Sequence, residues 1–199
     1  MCSMQSIGIS IIIPTLGRAT LQRALESVVP YLESNDEILV VADGVRHGAQ
    51  AAVEQLNSRQ IRYFEHSTAG STFGNAQRNF AMHQAKGDYF AFLDDDDRFL
   101  PNALSSIRRE ACHKVPLIFR REYHQTFSWS RPEFIKGEVG TGMFATPVKG
   151  PWVYCPLTTN EPGFTDFVWI QQVVSLWPPN SLRWCEDIIY WCKGHGHGQ

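Results

Sequence analysis

The first half of the chain alternates between short apolar runs and amphipathic segments. Apolar runs of five or six residues without polar alternation are typical of strands that are buried on both faces of a parallel sheet. Three segments fit this description: Ile9–Ile13, Glu37–Ala42 and Asp88–Leu93. Ile61–Glu65 is predicted as a further strand. Pro14 ends the first run and Asp43-Gly44 ends the second.

Amphipathic segments separate these predicted strands. From Thr20 onward, apolar residues recur with helical spacing and form one stripe: Leu21, Ala24, Leu25, Val28 and Val29. Further helices are predicted over Ala49–Leu56, over Ser71–Ala85 and from Pro101 onward. Ser71 and Thr72 are candidate caps, and Lys86-Gly87 is a candidate stop signal. Alternation of strands and helices predicts parallel strands joined by right-handed crossovers, hence a doubly wound α/β sheet.

The second half of the chain has a different texture. From about Leu117 to Pro162 it is rich in aromatic residues, glycine and proline, and it contains only short strand candidates. Two helices are predicted beyond it, over Thr165–Leu176 and over Cys185–Cys192.

Composition narrows the function classes. The 199 residues fit one domain, and the net charge of -2 offers no basic surface for nucleic acid. The five cysteines form no CxxC pair, which favours reduced thiols in the cytoplasm over a zinc module or a disulfide framework. No signal peptide is evident, and no segment reaches the roughly 20 apolar residues of a membrane span. Peripheral contact with a membrane stays open.

Four consecutive aspartates, Asp94–Asp97, directly follow the predicted strand Asp88–Leu93. Neighbouring carboxylates repel one another, so a cation or several donors must offset the cost. Open α/β sheets bind ligands at the carboxyl ends of their strands, where this run lies. Carboxylates there suit Mg²⁺ or Mn²⁺, which take oxygen ligands and neutralise phosphate oxygens. A solvated turn that caps the helix after Pro101 is the alternative, and for Asp97 it stays open.

Four segments, in this order, resemble the inverting family 2 glycosyltransferases of the GT-A fold: Ser10–Arg18, Glu37–Gly44, Gly74–Asp97 and Cys185–Gly194. The similarity covers roughly residues 7–112 and thins until Glu186-Asp187. It implies a Rossmann-like, doubly wound, mainly parallel sheet with helices on both faces and a small C-terminal acceptor-side subregion. Residues 1–199 would form one domain, with a nucleotide-sugar-binding half over about 7–112 and an acceptor-side half over about 113–199.

The resemblance also implies contacts to the donor. Thr15 corresponds to a residue that contacts the nucleotide, and Arg18 is a candidate phosphate or base contact. Asp43 corresponds to the carboxylate that accepts a hydrogen bond from the base, although a plain turn would also explain Asp43-Gly44. Arg78 corresponds to an arginine near the diphosphate or base, where a guanidinium offers fork-shaped, charge-assisted hydrogen bonds. A surface arginine is the alternative for Arg78.

The spaced Asp-x-Asp pattern of the family maps onto Asp94 and Asp96. Asp96 is then the expected metal ligand, while Asp94 or Asp95 would reach the ribose or, through water, the metal. The chain departs from the family pattern elsewhere: Leu16 and Gly17 replace an aromatic residue and asparagine, and Ala42 replaces a first aspartate.

An inverting transfer needs a carboxylate that takes the proton of the acceptor hydroxyl. Glu186-Asp187 resembles the Glu-Asp pair of the family, in which the aspartate is that base, so Asp187 is the expected base. A carboxylate that only caps the predicted last helix is the alternative. His195 and His197 are weaker candidates for contact with the diphosphate or metal.

The resemblance thus implies a metal-dependent, inverting enzyme that moves a sugar from a nucleotide-diphosphate donor, most often a UDP-sugar, to an acceptor hydroxyl by direct displacement. The acceptor stays open among glycans, lipid-linked sugars and other hydroxyl compounds. A catalytically inactive relative that binds nucleotide sugars or a partner is the main alternative, supported by the three departures. A sugar-nucleotide pyrophosphorylase would need a Gly-rich basic loop after the first strand, and a dinucleotide-binding domain would need a GxGxxG there; the chain has neither.

Overall fold

Strands and helices alternate along the computed structural model, which describes residues 7–68, 73–123, 126–157 and 165–192. Its strands are β1 Ile9–Thr15, β2 Glu37–Ala42, β3 Ile61–Glu65, β4 Tyr89–Phe92, β5 Arg98–Phe99, β6 Leu117–Tyr123, β7 Thr126–Phe127, β8 Phe144–Pro147 and β9 Arg183–Trp191. Its α-helices are α1 Thr20–Glu26, α2 His47–Leu56, α3 Asn75–Gln84, α4 Ala103–Ala111 and α5 Thr165–Ser175. Short 3-10 turns lie at Val29–Tyr31 and Thr141–Met143.

The nine strands of the described residues belong to one sheet with the order β3-β2-β1-β4-β8-β6-β9-β5, and β7 pairs with β6. The four strands at the β3 end are parallel, as the alternation predicts. β8 is antiparallel to both β4 and β6, and β6 is parallel to β9. Since two reversals restore the direction, β6 and β9 end at the same edge as β1, β2 and β4.

The centre of the sheet is the core of the molecule. Every residue of β1, β2 and β4 is buried, as their apolar sequences predict. Leu21, Ala24 and Leu25 of α1 are buried as well, so the predicted stripe is confirmed over these residues, whereas α1 ends at Glu26, before Val28 and Val29. Removing a side chain such as Ile12 from water contributes roughly 1.5–3 kcal/mol, and many such residues fix the strand ends.

The predicted helix over Cys185–Cys192 is wrong, because this stretch belongs to β9. β9 pairs with β6 on one side, with register shifts, and over two residues with β5 on the other, so ladder hydrogen bonds hold its backbone in place of helical ones. Its run Ile188-Ile189-Tyr190-Trp191 consists of residues that favour strands. The length of this apolar segment suits either a helix or a strand, so the pairing with neighbouring strands determines its secondary structure.

Other boundaries shift by smaller amounts. α3 begins at Asn75, and the cap candidates Ser71 and Thr72 lie outside the described residues. α3 ends at Gln84, just before the predicted stop at Lys86-Gly87. The helices predicted near Pro101 and Thr165 are confirmed as α4 and α5. Among the described residues, no helix combines the length and apolarity that a bilayer crossing needs.

Candidate active site at the carboxyl edge of the sheet

Polar and charged side chains gather at the edge where β1, β2, β4, β6 and β9 end. The acidic run follows β4, Thr15 ends β1, and Asp43 directly follows β2. The backbone N–H of Asp43 donates to the carbonyl of Thr15 over 3.0 Å, so the two strand ends are adjacent. The structure thus brings the sequence-predicted residues of three separate segments to one edge.

Asp95 is one of two buried carboxylates of the run, with 4% of its surface exposed. Its Oδ2 accepts hydrogen bonds from the Thr15 hydroxyl over 2.6 Å and from the Leu16 N–H over 3.2 Å. Its Oδ1 lies 3.1 Å from Nη1 of Arg18. Burial raises the pKa of Asp95, although the Thr15 hydrogen bond and the Arg18 charge oppose the rise. Asp95 therefore joins the ends of β1 and β4.

Asp96 and Asp97 differ in what they contact. The same Nη1 of Arg18 lies 3.2 Å from Oδ2 of Asp96, whose side chain is 33% exposed. Asp97 is buried and accepts a hydrogen bond from the hydroxyl of Tyr190 on β9. The proposed helix-capping role of Asp97 is wrong, because α4 begins only at Ala103 and the residue that precedes it is Asn102.

Arg78 of α3 is 5% exposed and forms an ion pair with Asp94. Its Nη1 donates to the carbonyl of Phe73 over 2.9 Å and to Oδ1 of Asn75 over 3.0 Å. Burial disfavours its charge, but Asp94, with smaller contributions from Cys155 and Asp166, offsets this and holds the pKa of Arg78 above its ordinary value. The surface-arginine alternative is wrong, because this guanidinium is buried and held at the end of β4.

Asp43 keeps its carboxylate close to the third strand. Its Oδ1 accepts a hydrogen bond from the Thr68 N–H over 3.3 Å, and its carbonyl accepts one from Nε of Arg46 over 2.9 Å. Gly17 adopts φ +77° beside Arg46, whose Cβ would lie 3.0 Å from a side chain at that position. The loop after β1 is thus packed against the loop after β2, with Leu16 49% exposed at its tip.

Asp166 is a candidate functional residue that the sequence analysis missed. It lies in the first turn of α5, and its carboxylate accepts hydrogen bonds from the backbone N–H groups of Phe167, over 2.8 Å, and Thr141. Burial raises the pKa of Asp166, these hydrogen bonds and the charge of Arg78 lower it, and Asp94 raises it. A side chain on Gly140 would lie 3.0 Å from its Oδ2, so the site leaves no room for one.

This arrangement makes Asp166 suited to accept a proton. Its pKa is moved toward neutrality, and it lies within electrostatic reach of Arg78 and Asp94. The sequence did contain a signal for Asp166. It lies in the first turn of the predicted helix Thr165–Leu176, where the helix dipole stabilises a carboxylate, and the same argument was applied to Glu186-Asp187.

Asp187 lies in the middle of β9 rather than at a helix start, so the helix-cap alternative is wrong. Its carboxylate forms an ion pair with Arg109 of α4. Arg109 also contacts Glu110, which in turn pairs with Arg183 over 2.9 Å. Asp187 thus belongs to a chain of four alternating charges that links α4 to β9. His195 and His197 lie outside the described residues.

The acidic run fits part of a divalent metal site. Asp94 and Asp96 are separated by one residue, and their side chains are 27% and 33% exposed. Asp95 does not fit, because both of its oxygens are bound by protein groups. Within the described ranges, no three His, Cys, Asp or Glu side chains come together as a metal-binding group. Two carboxylates that also meet diphosphate oxygens would suit an oxygen-seeking ion such as Mg²⁺ or Mn²⁺.

Known proteins resemble this chain in sequence. Residues 10–156 match the model of Glycosyl transferase family 2. A GalNAc(5)-diNAcBac-PP-undecaprenol beta-1,3-glucosyltransferase of Campylobacter jejuni is 31% identical over 52% of this chain and 34% of its own length. The putative colanic acid biosynthesis glycosyl transferase WcaA of Escherichia coli is 32% identical over 72% of this chain and 50% of its own length. The chain spans 20% to 52% of the length of such relatives.

Solved structures share the fold. S. aureus TarS 1-349 in complex with UDP-GlcNAc superposes with a TM-score of 0.73 at 15% identity, over 97% of this chain and 60% of that chain. The mannosyltransferase PcManGT of Pyrobaculum calidifontis, in complex with GDP-Man and Mn²⁺, gives a TM-score of 0.66 at 14% identity, over 96% of this chain and 58% of that chain. The architecture is therefore that of the GT-A glycosyltransferases, and with the family model matching most of its length, the chain belongs to glycosyl transferase family 2.

Proposed function

We propose that this chain carries the catalytic core of a glycosyltransferase that moves a sugar from a nucleotide-diphosphate donor to an acceptor hydroxyl. The observation that carries the proposal is the buried Arg78–Asp94 ion pair at the end of β4, with the Asp166 carboxylate within electrostatic reach of both residues. A buried guanidinium suits a diphosphate, and a carboxyl with a raised pKa suits the proton of a hydroxyl. UDP-sugars are the favoured donors, as the TarS complex suggests by analogy.

The donor would lie along the ends of β2, β1 and β4. Asp43 would accept a hydrogen bond from the base, and Thr15 and Arg18 would border the nucleotide. Arg18 already bridges Asp95 and Asp96, so a small movement of its half-exposed side chain would bring it to the phosphates. Arg78 would contact the diphosphate from the opposite side, which spreads the negative charge over two guanidinium groups.

A divalent ion, Mn²⁺ or Mg²⁺, would be held by Asp96 with Asp94 beside it. When bound, it would supply positive charge to the diphosphate leaving group. Asp95 would act at a distance, by holding Thr15 and Arg18 in place.

The transfer would invert the anomeric centre by direct displacement. Asp166 would accept the proton of the acceptor hydroxyl while that oxygen forms its bond to the anomeric carbon and the bond to the diphosphate breaks. Asp166 is a better candidate for the base than Asp187, because Arg109 already occupies the Asp187 carboxylate. General base catalysis of this kind contributes about 10²–10⁴-fold to the rate.

The acceptor side would be built from residues 113–199. Two relatives are named as glucosyltransferases that act on undecaprenol-diphosphate-linked substrates, in Campylobacter jejuni and in Escherichia coli. A lipid-linked sugar is therefore the acceptor class that we favour, and it would bring the chain to a membrane surface. Among the described residues, Cys112, Cys155 and Cys185 form no disulfide bond.

The direct test is a panel of UDP- and GDP-sugars with and without Mn²⁺, followed by thermal stabilisation and by release of the nucleotide diphosphate. We expect stabilisation by at least one nucleotide and release of UDP when an acceptor is added. Absence of any nucleotide binding would refute the donor site. Binding without turnover across lipid-linked and free glycan acceptors would favour the inactive relative, which the departures at Leu16, Gly17 and Ala42 support.

A further inference from the structure

Residues 151–157 form no helix or strand, yet they contact both helices that carry the key charges of the proposed site. We call them the interhelical segment. α3 carries Arg78 and α5 carries Asp166. The contacts of the segment with each helix are made by side chains with its backbone, so they depend on a few residues that can be changed singly.

On the α3 side, Asn79 makes two hydrogen bonds with one residue of the segment. Its Nδ2 donates to the carbonyl of Cys155 over 2.9 Å, and its Oδ1 accepts from the N–H of Cys155 over 2.7 Å. One turn earlier, Nδ2 of Asn75 donates to the carbonyl of Pro156 over 2.8 Å. Arg78 lies between these two asparagines, and Oδ1 of Asn75 accepts a hydrogen bond from it. The segment is thereby fixed against the turn that presents Arg78.

On the α5 side, two indole N–H groups hold the same segment. Nε1 of Trp169 donates to the carbonyl of Val153 over 2.7 Å, and Nε1 of Trp177 donates to the carbonyl of Pro151 over 3.0 Å. Trp169 is fully buried and lies three residues after Asp166, on the next turn of α5. A side chain on Gly150 would lie 2.1 Å from the Trp177 ring, so the chain passes close to this end as well.

Cys155, near the middle of the segment, interacts electrostatically with both Arg78 and Asp166. Burial raises the pKa of the Cys155 thiol to about 12, Arg78 lowers it and Asp166 raises it. Cys155 is 1% exposed, so it fills the space between the two helices rather than offering a reactive thiol.

We propose that Asn79 and Trp169 are positioning residues, which act through the interhelical segment to set the spacing between Arg78 and Asp166. This inference rests on the proposed function. Asn79 contacts the segment from α3 and Trp169 contacts it from α5, so each transmits the position of one helix to the other. A misplacement of about 1 Å between a base and a bound donor can cost on the order of 10²-fold in rate.

The variants Asn79→Ala and Trp169→Phe test this. Both lose hydrogen bonds to the segment, and phenylalanine keeps an apolar ring in the core. We expect each to lower the maximal rate of UDP release about tenfold while the dissociation constant of UDP changes less than about twofold. The matched control is Asn102→Ala, which removes an amide donor to the Ile188 carbonyl over 3.2 Å, away from the segment, and should keep the full rate.

A double-mutant cycle separates positioning from simple loss of stability. Because Asn79 and Trp169 act through one segment, the double variant should lose less than the product of the two single losses. For Asn79→Ala combined with Asn102→Ala, the loss of rate should equal the product of the two single losses. The inference would be overturned by any of three results. These are rate losses that multiply fully for Asn79→Ala with Trp169→Phe, an unchanged rate in Asn79→Ala, and a loss confined to UDP affinity.

Hydrogen exchange distinguishes failure of the inference from failure of the proposed function. If the wild-type chain binds no nucleotide and turns over no donor, the proposed function fails. The coupling can still be measured, because Asn79→Ala should accelerate amide exchange in α5 from Trp169 onward, where the N–H groups have helical acceptors, although Asn79 lies on α3. Unchanged exchange there would refute the link between the helices.

Discussion

Arg78 on α3 lowers the pKa of Asp166 on α5, although burial raises that pKa overall. The two residues are 88 positions apart in the sequence (166 − 78) and lie on different helices. Their coupling means that one edge of the sheet holds both a cation for the donor and a carboxylate that can change its protonation state.

The variant Asp166→Asn tests the base. It keeps the shape of the side chain and an acceptor for the Phe167 N–H, but it cannot take a proton. We expect the transfer rate to fall by about 10²–10⁴-fold with UDP affinity nearly unchanged. Asp187→Asn is the matched control, since it alters a carboxylate paired with Arg109, and it should keep most of the activity. The reverse pattern would return the base to Asp187.

The same carboxylate predicts a pH dependence of stability. Because the folded state holds the Asp166 proton to higher pH than the unfolded state, folding binds more protons between the two pKa values. The contribution of Asp166 to stability therefore falls as pH rises from its unfolded pKa of about 3.9 to its raised folded value. Urea unfolding should find Asp166→Asn more stable than wild type at pH 7 and equal to it near pH 3. A constant difference across this range would contradict the ionisation account.

Arg78 should matter for donor binding more than a surface arginine would. We expect Arg78→Ala to weaken UDP binding by about tenfold or more, since a hydrogen bond to a charged group contributes roughly 1.5–3 kcal/mol. Arg78→Lys keeps the charge but loses the fork that joins Phe73, Asn75 and Asp94, so it should recover only part of the affinity. Calorimetry with UDP measures both variants. Arg59→Ala, an exposed arginine just before β3 and hence at the opposite edge of the sheet, serves as the control and should bind UDP normally.

Much of the fold could be predicted from the sequence, because β1, β2 and β4 are buried on both faces and their apolar runs have few other interpretations. The donor side of the site follows from the same fact, since the residues after such strands must meet at one edge. Asp43 and Thr15 are adjacent for this reason.

The acceptor side was harder to predict because it depends on long-range pairing. The local preference for a strand is confined to Ile188–Trp191, so pairing with β6 and β5 is what makes Cys185–Cys192 a strand instead of a helix. Because that segment is a strand, Asp187 cannot cap a helix there. Asp166, by contrast, lies at the start of α5. The role of Asp95 could not be predicted either, since its partners Thr15 and Arg18 lie 80 and 77 residues away in the sequence.

Two aspartates of the acidic run should have different roles: Asp95 stabilises the fold and Asp96 binds a metal. Asp95→Asn weakens the contacts of a buried carboxylate with Thr15 and Arg18, so we expect unfolding to require about 1–3 kcal/mol less free energy. Asp96→Asn alters a side chain that is 33% exposed and contacts Arg18, so its stability should change by less than about 1 kcal/mol. Mn²⁺ titration followed by electron paramagnetic resonance, in the presence of UDP, should instead find metal binding weakened in Asp96→Asn. Thr15→Val, which removes the same hydrogen bond from the other partner, should resemble Asp95→Asn in unfolding. If Asp96→Asn binds Mn²⁺ as wild type does, the metal is held elsewhere and the Asp-x-Asp assignment is wrong.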